Sequence, residues 1–288
     1  MMNRPKRIAA IHDLSGFGRC SLAVILPVLS AQGLQVCPVP TAVLSSHTGG
    51  LGNVVMRDLG DYIDPALAHY RSLGVEFECV YTGFLNSEAQ FASCERFLDA
   101  YPEALAVVDP VLGDHGKRYR TVTEEMCDAM RALISHADVI TPNRTEVALL
   151  LGERYDDGVL TVQQARSLLA RLAEKGPSRV VITGAALQIA SGLVNLGFDR
   201  ESGKYWYTAD EYIPAGYPGT GDLFAAVLTG GLLSGDSLPI AMSRAAQFVG
   251  LAIKTTYSYG SDARYGVMFE PLLGELLRPA APGSYHLL

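Results

Sequence analysis

No Cys-x-x-Cys pair, internal repeat, low-complexity segment, linker or long basic run occurs in the 288-residue chain. The five cysteines, at 20, 37, 79, 94 and 127, are odd in number and scattered, which argues against a zinc ribbon or a disulfide framework and fits a reducing cytoplasm. The longest apolar run, Leu22–Leu29, contains Pro27 and falls far short of the ~20 residues that a membrane span needs. The basic N-terminus, Met1 to Arg7, leads into Ile8–Ile11, too short for the apolar core of a signal peptide. A formal net charge of −7 gives nucleic acid nothing to bind. Two nucleotide motifs are missing as well. The phosphate-loop pattern GxxxxGK[ST] is absent. Gly16-Phe17-Gly18-Arg19-Cys20-Ser21 lacks the third glycine of a dinucleotide fingerprint, and the first acid after Asp13 is Asp58.

What remains is 49% hydrophobic and 18% charged, enough for one large α/β domain over residues 1–288. Short apolar runs read as buried strands at Lys6–His12, Leu34–Thr41, Glu78–Thr82, Leu105–Val108, Asp138–Thr141 and Arg179–Thr183. Between them, helical patterns cover Arg19–Gln32, Asn53–Arg71, Ser87–Ala100, Thr123–Ser135, a helix holding Glu146, and Gln163–Lys175. This alternation predicts a doubly wound, mostly parallel central sheet flanked by helices. Leu187–Leu196 and Lys204–Ile213, joined by Asp199–Gly203, read as an antiparallel edge hairpin, followed by helices at about 221–234 and 239–257. Asp13–Gly18 and Leu44–Asn53 read as polar loops, and Arg278–Leu288, with two prolines, as a loose tail.

Gly216-Tyr217-Pro218-Gly219-Thr220-Gly221-Asp222 leads straight into a helical run. Glycines let the backbone approach a ligand closely, and the first N–H groups of a helix attract anions, phosphate above all. Asp222 would repel a phosphate there unless its task is to take a proton from a nucleophile. A capped loop-to-helix junction is the plainer reading of the same residues. Other polar residues fall at strand ends, the edge where open parallel sheets bind ligands: Asp13, His47-Thr48, Asp109/Asp114, Asn143/Glu146 and Thr183. Alone, Asp109-Pro110 reads as a strand end, Asn143 and Glu146 as a helix start with its capping partner, and His47 as a structural loop histidine. Together, two hard oxygen acids suited to Mg²⁺, an anion hole and one lone acid make a phosphoryl-transfer kit.

Gly219-Thr220-Gly221-Asp222-Leu223-Phe224-Ala225-Ala226 resembles the signature of the ribokinase superfamily. Ser46-His47-Thr48-Gly49, Asp109-Pro110-Val111-Leu112-Gly113-Asp114, Thr141-Pro142-Asn143 with Glu146, and Val180-Val181-Ile182-Thr183 make the chain similar to its vitamin kinases, the pyridoxal kinases most of all. The resemblance spans about residues 6–275. It implies an ATP-dependent kinase for the 5′-hydroxymethyl group of a vitamin B6 compound. Asp222 would be the base, and Gly219, Thr220 and Gly221 would form the anion hole. Mg²⁺ would lie at Asp109 and Glu146, and a monovalent cation such as K⁺ near Thr141 or Asp109. Asn143, Thr183 and the segment from Asp114 to Tyr119 would attend the ATP phosphates, and a helix near Ala245–Lys254 the adenine. Asp13, His47, Thr48 and Phe84 would line the substrate side. A cytoplasmic homodimer, without nucleic-acid or membrane partners, is also implied. The Asp13–Gly18 loop resembles instead that of hydroxymethylpyrimidine kinases, and pyridoxal kinases tend to carry serine near Asp13 and tyrosine at Phe84. A hydroxymethylpyrimidine kinase of thiamine synthesis is therefore an alternative. A sugar or nucleoside kinase is disfavoured by the middle motifs. A non-catalytic vitamer-binding protein is disfavoured because each phosphoryl-transfer position is filled.

Overall fold

Ile8–Ile11, Cys79–Thr82 and Val107–Val108 are almost wholly buried, as strands covered on both faces must be. The computed structural model describes residues 4–209, 213, 215–278 and 285–288. In chain order its elements are β1 (Arg7–Phe17), α1 (Leu22–Ala31), β2 (Gln35–Ser46), β3 (Met56–Asp58), α2 (Ile63–Ser72), β4 (Cys79–Thr82), α3 (Glu88–Ala100) and β5 (Leu105–Val108). Then come the small hairpin β6 (Gly113–Asp114) and β7 (Lys117–Arg118), α4 (Glu124–Leu133), β8 (Val139–Ile140), α5 (Arg144–Leu151), α6 (Val162–Ala173) and β9 (Arg179–Ala186). The chain ends with β10 (Leu193–Asp199), β11 (Lys204–Ala209), α7 (Thr220–Ser234), α8 (Leu238–Ser258) and β12 (Tyr285–Leu287).

One ten-stranded sheet has the order β12-β11-β10-β9-β8-β5-β4-β1-β2-β3. Its six central strands, β9 to β2, are parallel; β10, β11 and β12 extend one side antiparallel, and β3 the other. From β1 the chain steps to β2 on one side and later to β4 on the other. Such a switch point opens a crevice at the strands' carboxyl ends. Helices α1, α7 and α8 pack on one face, and α2 to α6 on the other. In α7, Leu223, Phe224, Val227 and Leu228 are at most 4% exposed. Each such side chain contributes ~1.5–3 kcal/mol, so the helix carrying Asp222 is firmly seated.

Four expectations are corrected. Asn53–Arg71 is not one helix: the segment holds edge strand β3 from Met56, paired antiparallel with β2, then a turn where Gly60 N–H bonds Asp58 Oδ1 at 2.7 Å, and α2 starts only at Ile63. The Asp13–Gly18 loop is mostly strand, because β1 and β2 continue pairing as far as Phe17 and Ser46. Leu187–Leu196 becomes strand only from Leu193, while β9 runs on to Ala186. Within the tail, Tyr285–Leu287 pairs with β11, and Leu288 is buried with its main-chain oxygen held by Arg166. Residues 279–284 of that tail, and 210–212 of the second hairpin strand, lie outside the described residues.

Candidate active site

The base candidate sits where the sequence places it, in the first turn of α7, and Gly219 is the helix cap with φ +79°. A side chain at 219 is excluded by contact as well as by conformation, since a Cβ would lie 1.8 Å from the Arg19 carbonyl oxygen. The loop thus lies flush against the segment before α1. That contact delivers a main-chain donor: Ser21 N–H bonds Asp222 Oδ2 at 2.8 Å. Ser21 holds φ +60°, ψ −140°, a conformation costly for a side-chain-bearing residue. Thr220 Oγ1 donates to the Tyr217 carbonyl at 3.1 Å, closing the turn that starts α7.

The other Asp222 oxygen faces a residue that sequence reasoning missed. His12 Nε2 lies 3.2 Å from Asp222 Oδ1, and its Nδ1 lies 2.9 Å from Asp13 Oδ1. The register of β1 against β2 slips between His12 and Leu14, beside Pro40, which has no N–H to offer a ladder. His12 and Asp13 are both buried, continuing the buried run of Ile8–Ile11. Gly83, after β4, makes room for the ring, because a Cβ there would stand 2.0 Å from His12 Cδ2. Burial alone would lower the imidazole pKa, but the Asp13 and Asp222 carboxylates reverse this and push it up to about 10. Nδ1 meets two Asp13 groups at 2.9 Å, the carboxylate Oδ1 and the main-chain N–H, which donates toward it. Asp13 Oδ2 accepts from Ser15 Oγ at 3.0 Å. Burial would raise this carboxyl, but His12 and the serine donors hold it below the ordinary value. Each of its oxygens thus has a partner within the protein. The signal available in the sequence was the polar pair His12-Asp13 directly after a fully apolar strand.

The second acidic group lies at the ends of neighbouring strands β5 and β8. Thr141 Oγ1 donates to Asp109 Oδ1 at 2.9 Å. Asn143 and Glu146 form a complete capping box at the start of α5: Asn143 Oδ1 accepts from Thr145 and Glu146 N–H, and Asn143 N–H donates to Glu146 Oε2 at 2.8 Å. Leu112 N–H reaches Glu146 Oε1 at 3.0 Å, and Asn143 Nδ2 reaches the Gly113 carbonyl at 2.8 Å, tying α5 to the strand-end loop. Burial and the Asp222 charge raise the Asp109 pKa to about 7 against the Thr141 bond. Burial and Asp109 raise Glu146 well above its ordinary value. A buried acid pair of this kind lacks a cation. Asp109 has open lone pairs for Mg²⁺, and Glu146, with both oxygens bonded to main chain, could reach the ion through water. Among the described residues no group of three His, Cys, Asp or Glu side chains is placed to hold a metal ion.

The remaining expected residues are distributed unevenly. Thr183 lies beside Asn143 through a parallel bridge, with its N–H on the Pro142 carbonyl. Asp114 is exposed on the β6–β7 hairpin and accepts from His115 N–H at 2.8 Å. Val111 and His115 take positive φ around that hairpin, and Gly116 N–H bonds Thr145 Oγ1. Phe84 is buried at the end of β4, its carbonyl accepting from Thr41 Oγ1. Thr48 is exposed. His47 has both ring nitrogens engaged, with the Arg264 carbonyl at 2.7 Å and Gly49 N–H at 3.0 Å, so it clamps its loop to the segment before Gly266.

An anion-ready helix terminus, an oriented carboxylate and a second acidic pair on one edge of a ribokinase-like sheet define a phosphoryl-transferring kinase. Residues 26–266 match the family model described as phosphomethylpyrimidine kinase, and the chain belongs to that family. It is 32% identical over 261 residues to the pyridoxine/pyridoxal/pyridoxamine kinase of Bordetella avium, covering 86% of this chain and 85% of that one. A putative phosphomethylpyrimidine kinase from Bacteroides thetaiotaomicron, crystallised with pyridoxal, is 42% identical with TM-score 0.93, covering 99% of this chain and all 100% of that one. Pyridoxal kinase from Lactobacillus plantarum is 34% identical with TM-score 0.87, over 96% and 97% of the two chains. Among the described residues no helix is long and apolar enough to cross a membrane.

Proposed function

We propose that the chain transfers the terminal phosphoryl group of ATP to the 5′-hydroxymethyl oxygen of vitamin B6, whether pyridoxal, pyridoxamine or pyridoxine. The observation that carries this reading is Asp222. It is an acid in the first turn of a helix whose N-terminus attracts phosphate, and it is oriented by Ser21 N–H at the sheet's switch point. An acid there serves a transfer only by accepting the proton of the attacking hydroxyl. The substrate O–H bond breaks toward Asp222, the oxygen–phosphorus bond forms, and the bridging bond to the leaving ADP breaks. The N–H groups of Gly219, Thr220 and Gly221 face the charge that develops on the phosphoryl oxygens. Mg²⁺, when bound, would supply charge neutralisation for the ATP phosphates. Asp109 would hold it directly and Glu146 through water, with Thr141 orienting Asp109 or lying near a monovalent cation such as K⁺. Asn143, Thr183 and the hairpin carrying Asp114 stand on the same side, for the nucleotide. Phe84 and the loop of His47 and Thr48 border the ring.

The vitamin assignment draws support from the Bacteroides thetaiotaomicron relative crystallised with pyridoxal and from the Bordetella avium enzyme. The family description favours a second reading, phosphorylation of a hydroxymethylpyrimidine or its phosphate. The deciding experiment measures kcat/KM for the three vitamers and hydroxymethylpyrimidine side by side with ATP and Mg²⁺. A vitamer preference is expected, and a pyrimidine preference sinks the first reading. Calorimetric binding of a vitamer without ATP turnover would support a non-catalytic binding protein. Light scattering tests the homodimer that the family resemblance implies.

A further inference from the structure

We infer that His12, held by Asp13, is a positioning residue that aims the Asp222 carboxylate at the attacking hydroxyl. The inference rests on Asp222 being the base of the proposed transfer, and it draws on four observations. First, the ring is 2% exposed, and a buried polar nitrogen is rarely left without a partner. Nε2 has no aligned hydrogen bond, and the carboxylate at 3.2 Å is the acceptor within reach among the described residues. Second, Asp13 fixes the other ring nitrogen at 2.9 Å, as the outer carboxylate of a catalytic triad fixes its histidine. Third, the backbone is shaped around this chain of groups. The register of β1 against β2 slips beside His12, the space at Gly83 admits the ring, and Ser21 adopts its unusual conformation while giving Asp222 its second anchor. Fourth, the two anchors take different oxygens, Oδ1 and Oδ2, so together they set the rotation of the carboxylate plane.

A general base must meet its proton within about a hydrogen bond's length, and a misplacement of ~1 Å can cost ~10²-fold in rate. Ser21 alone would leave Asp222 free to swing about a single bond. With His12 present, the other oxygen also faces a neighbour, Nε2 at 3.2 Å. His12 touches neither ATP nor the vitamer in this account and acts only through Asp222.

Two near-isosteric variants separate this role from mere packing. Glutamine carries an amide near the position of Nε2 and can keep the contact to Asp222, whereas asparagine places its amide near Nδ1 and keeps only Asp13. His12→Gln is expected to retain kcat within ~10-fold of the parent, and His12→Asn to lose ~100-fold, each with KM for ATP within about twofold. Crystal structures of both variants read the carboxylate independently of turnover: Asp222 should hold its orientation in the glutamine variant and rotate or divide between rotamers in the asparagine variant. Equal kcat in the two variants, or an unmoved Asp222 in His12→Asn, overturns the inference. A parent enzyme that turns over none of the vitamers defeats the proposed function instead, while the crystal structures still decide whether His12 aims Asp222.

Discussion

The cleft has two acidic halves with different surroundings. Asp222 stands between a histidine cation and a main-chain N–H, each on its own oxygen. Asp109 and Glu146 meet only hydroxyl and amide donors, with no salt bridge from either among the described residues. Burial raises both pKa values, with the Asp222 charge adding to Asp109 and the Asp109 charge to Glu146. In the first half both carboxylate oxygens have partners from the protein itself. The second has no cationic partner among the described residues, and under the proposed function a divalent cation with ATP phosphates would supply one.

Substitutions can break this contrast, and the largest effect is expected at Gly219. Alanine there meets both positive φ and the Arg19 carbonyl, so the flush seating of the loop should fail. A stability loss of about 2 kcal/mol and a kcat loss of ~10²–10³-fold are expected, read by thermal melts and steady-state rates. Asp109→Asn should spare the Asp222 half and damage the other. Turnover should fall on the order of 10²-fold and demand more Mg²⁺, as a Mg²⁺ titration of rate would show. The His12 pKa gives a pH test of the first half. Raised from 6.5 in the unfolded chain to about 10 in the fold, it contributes stability that is complete below 6.5 and disappears as pH climbs toward 10. Melting temperatures of the parent should therefore fall more steeply between these limits than those of His12→Gln. Parallel slopes would remove His12 as the buried cation. The smallest effect is expected for exposed Thr48→Ala, a change within about threefold in KM for the vitamer and none in stability.

Much of the second half was legible in the sequence because its chemistry is local. Asn143 and Glu146 lie three residues apart and cap one helix, and Asp109 ends a run of buried residues. Gly219–Asp222 was legible for the same reason, as a turn and a helix start written in consecutive residues. The anchors of Asp222 were not, because they come from some 200 residues earlier in the chain. They also depend on a bulge and a strained Ser21 that no periodicity announces. The parallel core followed from its apolar runs. Edge strand β3 did not, since only its pairing with β2 separates Met56–Asp58 from the helix that follows Gly60. Asp13 stands out in the sequence as an acid after an apolar strand, but its contact with His12 Nδ1 is a matter of the fold.

The central claim is that Asp222 takes the proton from a vitamer hydroxyl. Its most direct test is single-turnover phosphoryl transfer from Mg²⁺-ATP to pyridoxal by Asp222→Ala, with nucleotide binding measured in parallel. The account predicts ATP binding within a few-fold of the parent and transfer slowed by ~10²–10⁴-fold. Transfer at close to the parent rate would contradict it.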